Sequence, residues 1–75
     1  MLKGTRDAIV REMRPVSIHG QMSFQIVFIH THDPGEQLNA ALVGPEAIEG
    51  NLEPGDRVRI EYLVGVVVKV TRLAS

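Results

Sequence analysis

Arg57-Val58-Arg59-Ile60-Glu61-Tyr62, followed after Leu63-Val64-Gly65 by Val66-Val67-Val68-Lys69-Val70-Thr71-Arg72, decides the fold class. In the first stretch apolar and charged residues alternate without a break, the period of a strand with one buried face. Val58, Ile60 and Tyr62 point one way, and Arg57, Arg59 and Glu61 the other. The second stretch resumes the pattern with Val66, Val68 and Val70 expected inward. The link Leu63-Val64-Gly65 suits a sharp bend with a glycine bulge or a tight hairpin.

Upstream, Met22, Phe24, Ile26 and Phe28 form a second apolar face opposite Gln21, Ser23 and Gln25. Beyond Gln25 the other face also turns apolar, with Val27 and Ile29, so that end of the strand is expected to be covered on both sides. The turn Asp33-Pro34-Gly35 leads into a shorter third strand read from Leu38, Ala40 and Leu42. Gly44-Pro45-Glu46-Ala47-Ile48-Glu49-Gly50 has proline at the first helical position, acids in the first turn and glycine past the end, which predicts one short helical turn. Leu52 then returns to the core, and Glu53-Pro54-Gly55-Asp56 turns the chain into the fourth strand.

Residues 7–14 admit two readings. Ile9, Val10 and Met13 lie on one helical stripe, with Asp7 as a cap. The same residues form a bulged strand, with Ala8 and Val10 inward before a bulge moves the phase to Met13. A helix this short is marginal in water, and Ser17-Ile18-His19-Gly20 reads as a hairpin turn into Met22, so the strand is favoured.

Seventy-five residues make one domain, 1–75, with a thin core. There is no cysteine, which removes disulfides, thiolate metal sites and cysteine nucleophiles and fits a cytoplasmic location. Met1 to Asp7 shows no leader pattern. No apolar run approaches the roughly 20 residues of a membrane helix, so a soluble protein without membrane contact is expected. The net charge of −1 conceals an uneven layout. Lys3, Arg6, Arg11 and Arg14 outnumber Asp7 and Glu12 at the start. Residues 33–56 carry six acids and no Lys or Arg, and Arg57, Arg59, Lys69 and Arg72 face only Glu61 at the end.

Three strands, a short helical turn and two more strands is the order of the OB-fold, a five-stranded Greek-key barrel, and the chain resembles that superfamily over nearly its whole length. The segment from Gly44-Pro45 to Val70, with Leu52-Glu53-Pro54-Gly55-Asp56-Arg57-Val58-Arg59-Ile60 inside it, is similar to the entry into the fourth strand of small RNA-binding translation-factor and ribosomal-protein domains. A Pro-Gly-Asp turn before an alternating strand also occurs in SH3-like barrels, the alternative architecture. The smallest bacterial translation initiation factor shares length and strand order but is rich in Lys and Arg around the helix, where Glu46 and Glu49 stand here. Small hydrogenase-maturation chaperones depend on a cysteine after the initiator Met, where this chain has Leu2.

No catalytic constellation, cofactor motif or phosphate loop is visible, and the protein is expected not to be an enzyme. His30-Thr31-His32-Asp33 with Glu36 nearby has the residue types of a zinc or iron site. The phase that buries Phe28 turns His30 inward, however, and Asp33 belongs to a turn, so no metal is expected. The resemblance implies contact with single-stranded DNA or RNA. The face usually used is poor in charge and its aromatic residues, Phe24, Phe28 and Tyr62, read as core. The basic residues offer another surface. In such a barrel the first strand pairs with the fourth, which would gather Arg6, Arg11, Arg14, Arg57 and Arg59 into a phosphate-binding patch. The competing expectation is a homo-oligomer or a protein-partner module. It rests on Val27, Ile29, Leu63 and Val67 on outward faces, on 44% hydrophobic residues, and on an acidic middle complementary to basic ends.

Overall fold

The computed structural model describes residues 3–73; Met1, Leu2 and Ser75, all weighed in the sequence, lie outside the described residues. The chain is all-β apart from one 3-10 turn. Its strands are β1 (Lys3–Ile18), β2 (Gln21–His30), β3 (Asn39–Val43), β4 (Ile48–Glu49), β5 (Arg57–Leu63) and β6 (Val66–Arg72). They form one curled sheet in the order β3-β2-β1-β5-β6-β4. The expected order is present, with the first strand beside the strand that follows the Pro-Gly-Asp turn. A sixth strand joins the five expected. The helical turn covers only Pro45–Ala47, because Ile48 is already extended and pairs in parallel with Val70.

Residues 7–14 are strand. β1 runs for 16 residues and serves two neighbours, β5 along Lys3 to Ile9 and β2 along Ala8 to Ile18. The register shifts between Val10, opposite Phe28, and Glu12, opposite Val27, which leaves Arg11 as the bulge residue. Ala8 and Val10 are fully buried, and after the bulge Met13 packs against the core. Two-residue turns close both hairpins. His19 and Gly20 have φ of 50° and 78°, and Val64 and Gly65 have φ of 51° and 78°, the positive pair that matches strand twist. Gly50 also has a positive φ, 93°, and a Cβ there would meet Arg72 Cβ at 3.0 Å; glycine lets β4 lie against β6.

The buried core is Ala8, Val10, Ile26, Phe28, Val43, Leu52, Val58, Ile60 and Val70, with Phe24, Tyr62 and Val67 packed on its margin. Arg57 and Arg59 lie outside, and Gln25 is half-buried. Five expectations are corrected, those for Val66, Val67, Val68, Leu42 and Met22; Val67, read as outward in the sequence, packs against the core. Val66 and Val68 face solvent, because the β5–β6 register passes from Glu61 opposite Lys69 to Tyr62 opposite Val67. Val68 is thus a bulge, and Val67 rather than Val68 shares the inner face with Val70. Leu42 is exposed because β3 buries Val43 and turns Ala41 inward, one residue out of the expected phase. Met22 is 52% exposed although it shares the inner phase with Phe24. It sits near the tip of the β1–β2 hairpin, past the end of the core.

The bulge assignment makes a stability contrast. Replacing Ile60 by Ala is expected to cost about 2–5 kcal/mol. Val68→Ala, at an exposed bulge, should change stability by less than about 0.5 kcal/mol. Urea denaturation of the two variants measures both.

Candidate functional site: an open barrel seam and a divided basic surface

The five arginines read from the sequence as a phosphate patch are all exposed but do not share one environment. Arg57 and Arg59 stand on the outer face of β5, opposite Ile9 and Asp7 of β1. Arg59 Nε donates to Asp7 Oδ1 at 3.1 Å, and Arg14 donates to Glu12 Oε1 at 2.7 Å. Arg11 is the bulge residue of β1. Arg6 lies opposite the fully buried Ile60, on the inward phase of its strand. Among the described residues Arg6, Arg11 and Arg57 form no ion pair, whereas Lys69 pairs with Glu49 and Arg72 with Asp56. A polar cleft of about 630 Å³ brings Arg6, Arg59 and His32 together with Asp7 and Glu61, so carboxylates share the space with the cations.

The histidines separate. His19 and His32 occupy turn positions with positive φ. His30 points inward, as its phase predicts, and its Nε2 lies 2.7 Å from Tyr62 Oη across the barrel. Its ring also meets Phe28 edge-on, with centroids 5.4 Å apart. Asp33 is spent on its turn, where its carboxylate accepts from the backbone N–H groups of Gly35 and Gln37, both at 3.1 Å. Among the described residues no three His, Asp or Glu side chains converge on a point where a metal ion could sit.

Burial, reinforced by the Arg6 charge and opposed by Asp33, holds the His30 imidazolium below its ordinary pKa. Burial raises the Tyr62 phenol, with Arg6 acting against it. Both shifts favour the uncharged forms, so at neutral pH the Nε2–Oη contact is a hydrogen bond between two neutral groups.

Above this pair the barrel is open. β3 makes its ladder only with β2, and β6 from Val66 to Lys69 only with β5; no other backbone hydrogen bond of the described residues reaches these edges. β4 closes the far half of β6, at Val70 and Thr71. β3 and β6 come within 8 Å of each other, Cα to Cα, without hydrogen bonding. Between them lies a cavity of about 360 Å³, lined by Phe28 and Tyr62 with Ala41 and Leu42 on one wall and Val66 and Val67 on the other. Of its lining residues, Leu42 and Val66 are each more than half exposed. Sequence reading missed this seam, because it depends on two phases that a bulge and a shifted strand reversed. The available signal was the uncharged composition of Asn39-Ala40-Ala41-Leu42-Val43 and Val66-Val67-Val68.

The described residues contain no helix long and apolar enough to cross a membrane. The chain matches no family model, no curated protein and no solved structure.

The His30 and Val64 environments each have a measurable consequence. A lowered folded pKa means that the unfolded chain takes up the proton first. The His30 contribution is fully present above the ordinary value of about 6.5, and it is lost as pH falls through the lower folded value. Unfolding followed from pH 8 to pH 5 should show a steeper acid loss for the native chain than for His30→Gln. Val64 holds a β-branched side chain in the left-handed region, at a cost of about 1–2 kcal/mol. Val64→Asn is expected to raise the urea midpoint by a comparable free energy.

Proposed function

We propose that the chain is a non-catalytic, OB-type protein-assembly module that associates through uncovered apolar sheet surface. One observation carries this reading: β3 and the first half of β6 are unpaired edges whose residues include neither charge nor proline from Asn39 to Val43 and from Val66 to Val68. Solitary β proteins guard such edges with lysine, proline or a covering loop. Here the edges carry Leu42 and Val66, both more than half exposed. The outer sheet face adds to the surface, where Ile9 lies opposite Ile29 and Val27 opposite Ala40. Strand order supports the OB-type assignment, and the absence of cysteine supports a cytoplasmic setting.

Single-stranded nucleic acid is the second reading, favoured by Arg6, Arg11 and Arg57, which have no ion-pair partner among the described residues. It stands second because Arg14 and Arg59 are already paired with carboxylates. In addition, the outer faces of β2 and β3 carry Val27, Ala40 and Leu42 where stacking aromatics would be needed.

Light scattering at low and high salt, with and without a single-stranded oligonucleotide, separates the two. Assembly through apolar edges should keep its mass at high salt. An oligonucleotide complex that weakens with a slope near 0.7 per contacted phosphate, and whose slope falls by roughly one to two units in Arg57→Gln/Arg59→Gln, would put nucleic acid first. A single-chain mass under all conditions overturns the assembly reading.

A further inference from the structure

We infer that the His30–Tyr62 hydrogen bond is a latch across the concave face of the sheet, closed while His30 is neutral and released when its ring takes up a proton. Its place in the fold carries the inference. β2 and β5 are not neighbours, because β1 lies between them in the sheet. Among the described residues no other side-chain hydrogen bond joins two strands that share no ladder. β2 carries β3 and β5 carries β6, and these outer strands approach each other without hydrogen bonding. The 2.7 Å contact is thus the one polar tie between the two walls of the mouth among the described residues. Phe28 and Ile60, two residues earlier on each strand, are buried, whereas His30 and Tyr62 are half-buried. Release therefore opens the rim and leaves the core packed.

The proton acts on both the bond and its surroundings. A neutral imidazole has one donor and one acceptor nitrogen, and a phenol can donate or accept, so the neutral pair can share the bond in either direction. In the imidazolium both nitrogens are donors. The phenol proton then loses its acceptor, and the contact survives only with Tyr62 Oη accepting. The new charge would also sit among poor company. Arg6 of β1 acts on both His30 and Tyr62 and has no ion-pair partner among the described residues. The Phe28 ring packs edge-on against the imidazole. Asp33, the acid near the ring, is held in its own turn by the N–H groups of Gly35 and Gln37. The nearby stretches of β3 and β6, Asn39 to Val43 and Val66 to Val68, carry no charge. Burial and Arg6 together outweigh Asp33. His30 is the last residue of β2, so its ring can turn outward to water once charged. The latch is closed above the ordinary value of about 6.5 and opens as pH falls through the lower value of the folded chain.

Tyr62 is the only tyrosine in a chain without tryptophan, so its emission reports on the bond directly. Emission, the NMR titration of the His30 ring and amide hydrogen exchange, followed together from pH 8 to pH 5, test the inference. The emission step is expected to share its midpoint with the His30 ring. Below that midpoint the amides of residues 29–31 and 62–67 should exchange severalfold faster, after allowance for the intrinsic pH dependence, while Val58 and Ile60 stay protected. Tyr62→Phe keeps the ring but lacks the hydroxyl, and should show the faster exchange at both ends of the range. Arg6→Gln, at an exposed position, should move the His30 midpoint and the exchange transition upward together. Emission that follows His30 without any change in exchange would mean that the bond only reverses its donor, and overturns the latch. Loss of protection at Ile60 together with the rim would be global unfolding and overturns it as well. An exchange transition that Arg6→Gln leaves in place overturns the part given to charge, and with it release by the proton.

Discussion

β1 carries two ladders, mostly along different halves of its length, and a bulge bends it between them. Its first half belongs to β5 and its second to β2, with Ala8 and Ile9 shared by both. The bulge at Arg11 supplies the bend and the added twist that a flat strand lacks. Val10 marks the crossing. Its N–H donates to the Asp56 carbonyl at 2.9 Å, and its own carbonyl accepts from Gly55 N–H at 2.7 Å. The Pro-Gly-Asp turn is thereby bound to β1 just before β5 begins. Asp56 braces that turn again, accepting from Glu53 N–H and pairing with Arg72 of β6. Every other strand takes its place from this bent ribbon.

The bend sets the extent of the core. Curling brings Val10, Ile26, Val58, Ile60 and Val70 together without exposure to water, and no polar or charged residue is buried among them. The curl is too short to bring β3 into register with β6, so the sheet remains a half-barrel whose mouth is floored by Phe28 and Tyr62. The His30–Tyr62 hydrogen bond ties β2 to β5 across that mouth and satisfies two polar groups at the margin of an apolar interior. The four ion pairs among the described residues lie on the surface, where such pairs contribute about 0–1 kcal/mol each. Stability therefore rests on a small apolar set.

The arginines show how a sheet divides what a sequence groups. Arg57 and Arg59 are two residues apart and share a face, as strand period demands. Arg6 sits one residue from Asp7, and the same period puts them on opposite phases. Arg59 then meets Asp7, while Arg6 acts on His30 and Tyr62. A tally of positive charges near the chain ends cannot anticipate that division, because it depends on cross-strand register.

Strict alternation from Arg57 to Tyr62 was enough to assign β5 and its buried face, since period two has one physical cause. The bulged first strand, the Leu52 return and the inward turn of His30 were likewise legible, each from apolar spacing and a neighbouring turn signal. The run from Val66 to Val68 was not, because three like residues carry no phase, and only the ladder with β5 decides which one is extruded. Leu38, Ala40 and Leu42 misled for a related reason. In so short a strand, alanines and leucines alternate equally well in either phase, and the inner place went to Val43 and Ala41 through pairing with Phe24 and Ile26. Residue order by itself thus determined a β chain with segregated charge. The open seam was decided only by tertiary structure, because an edge is unpaired through what lies beside it in space, and no residue's own chemistry records its neighbour.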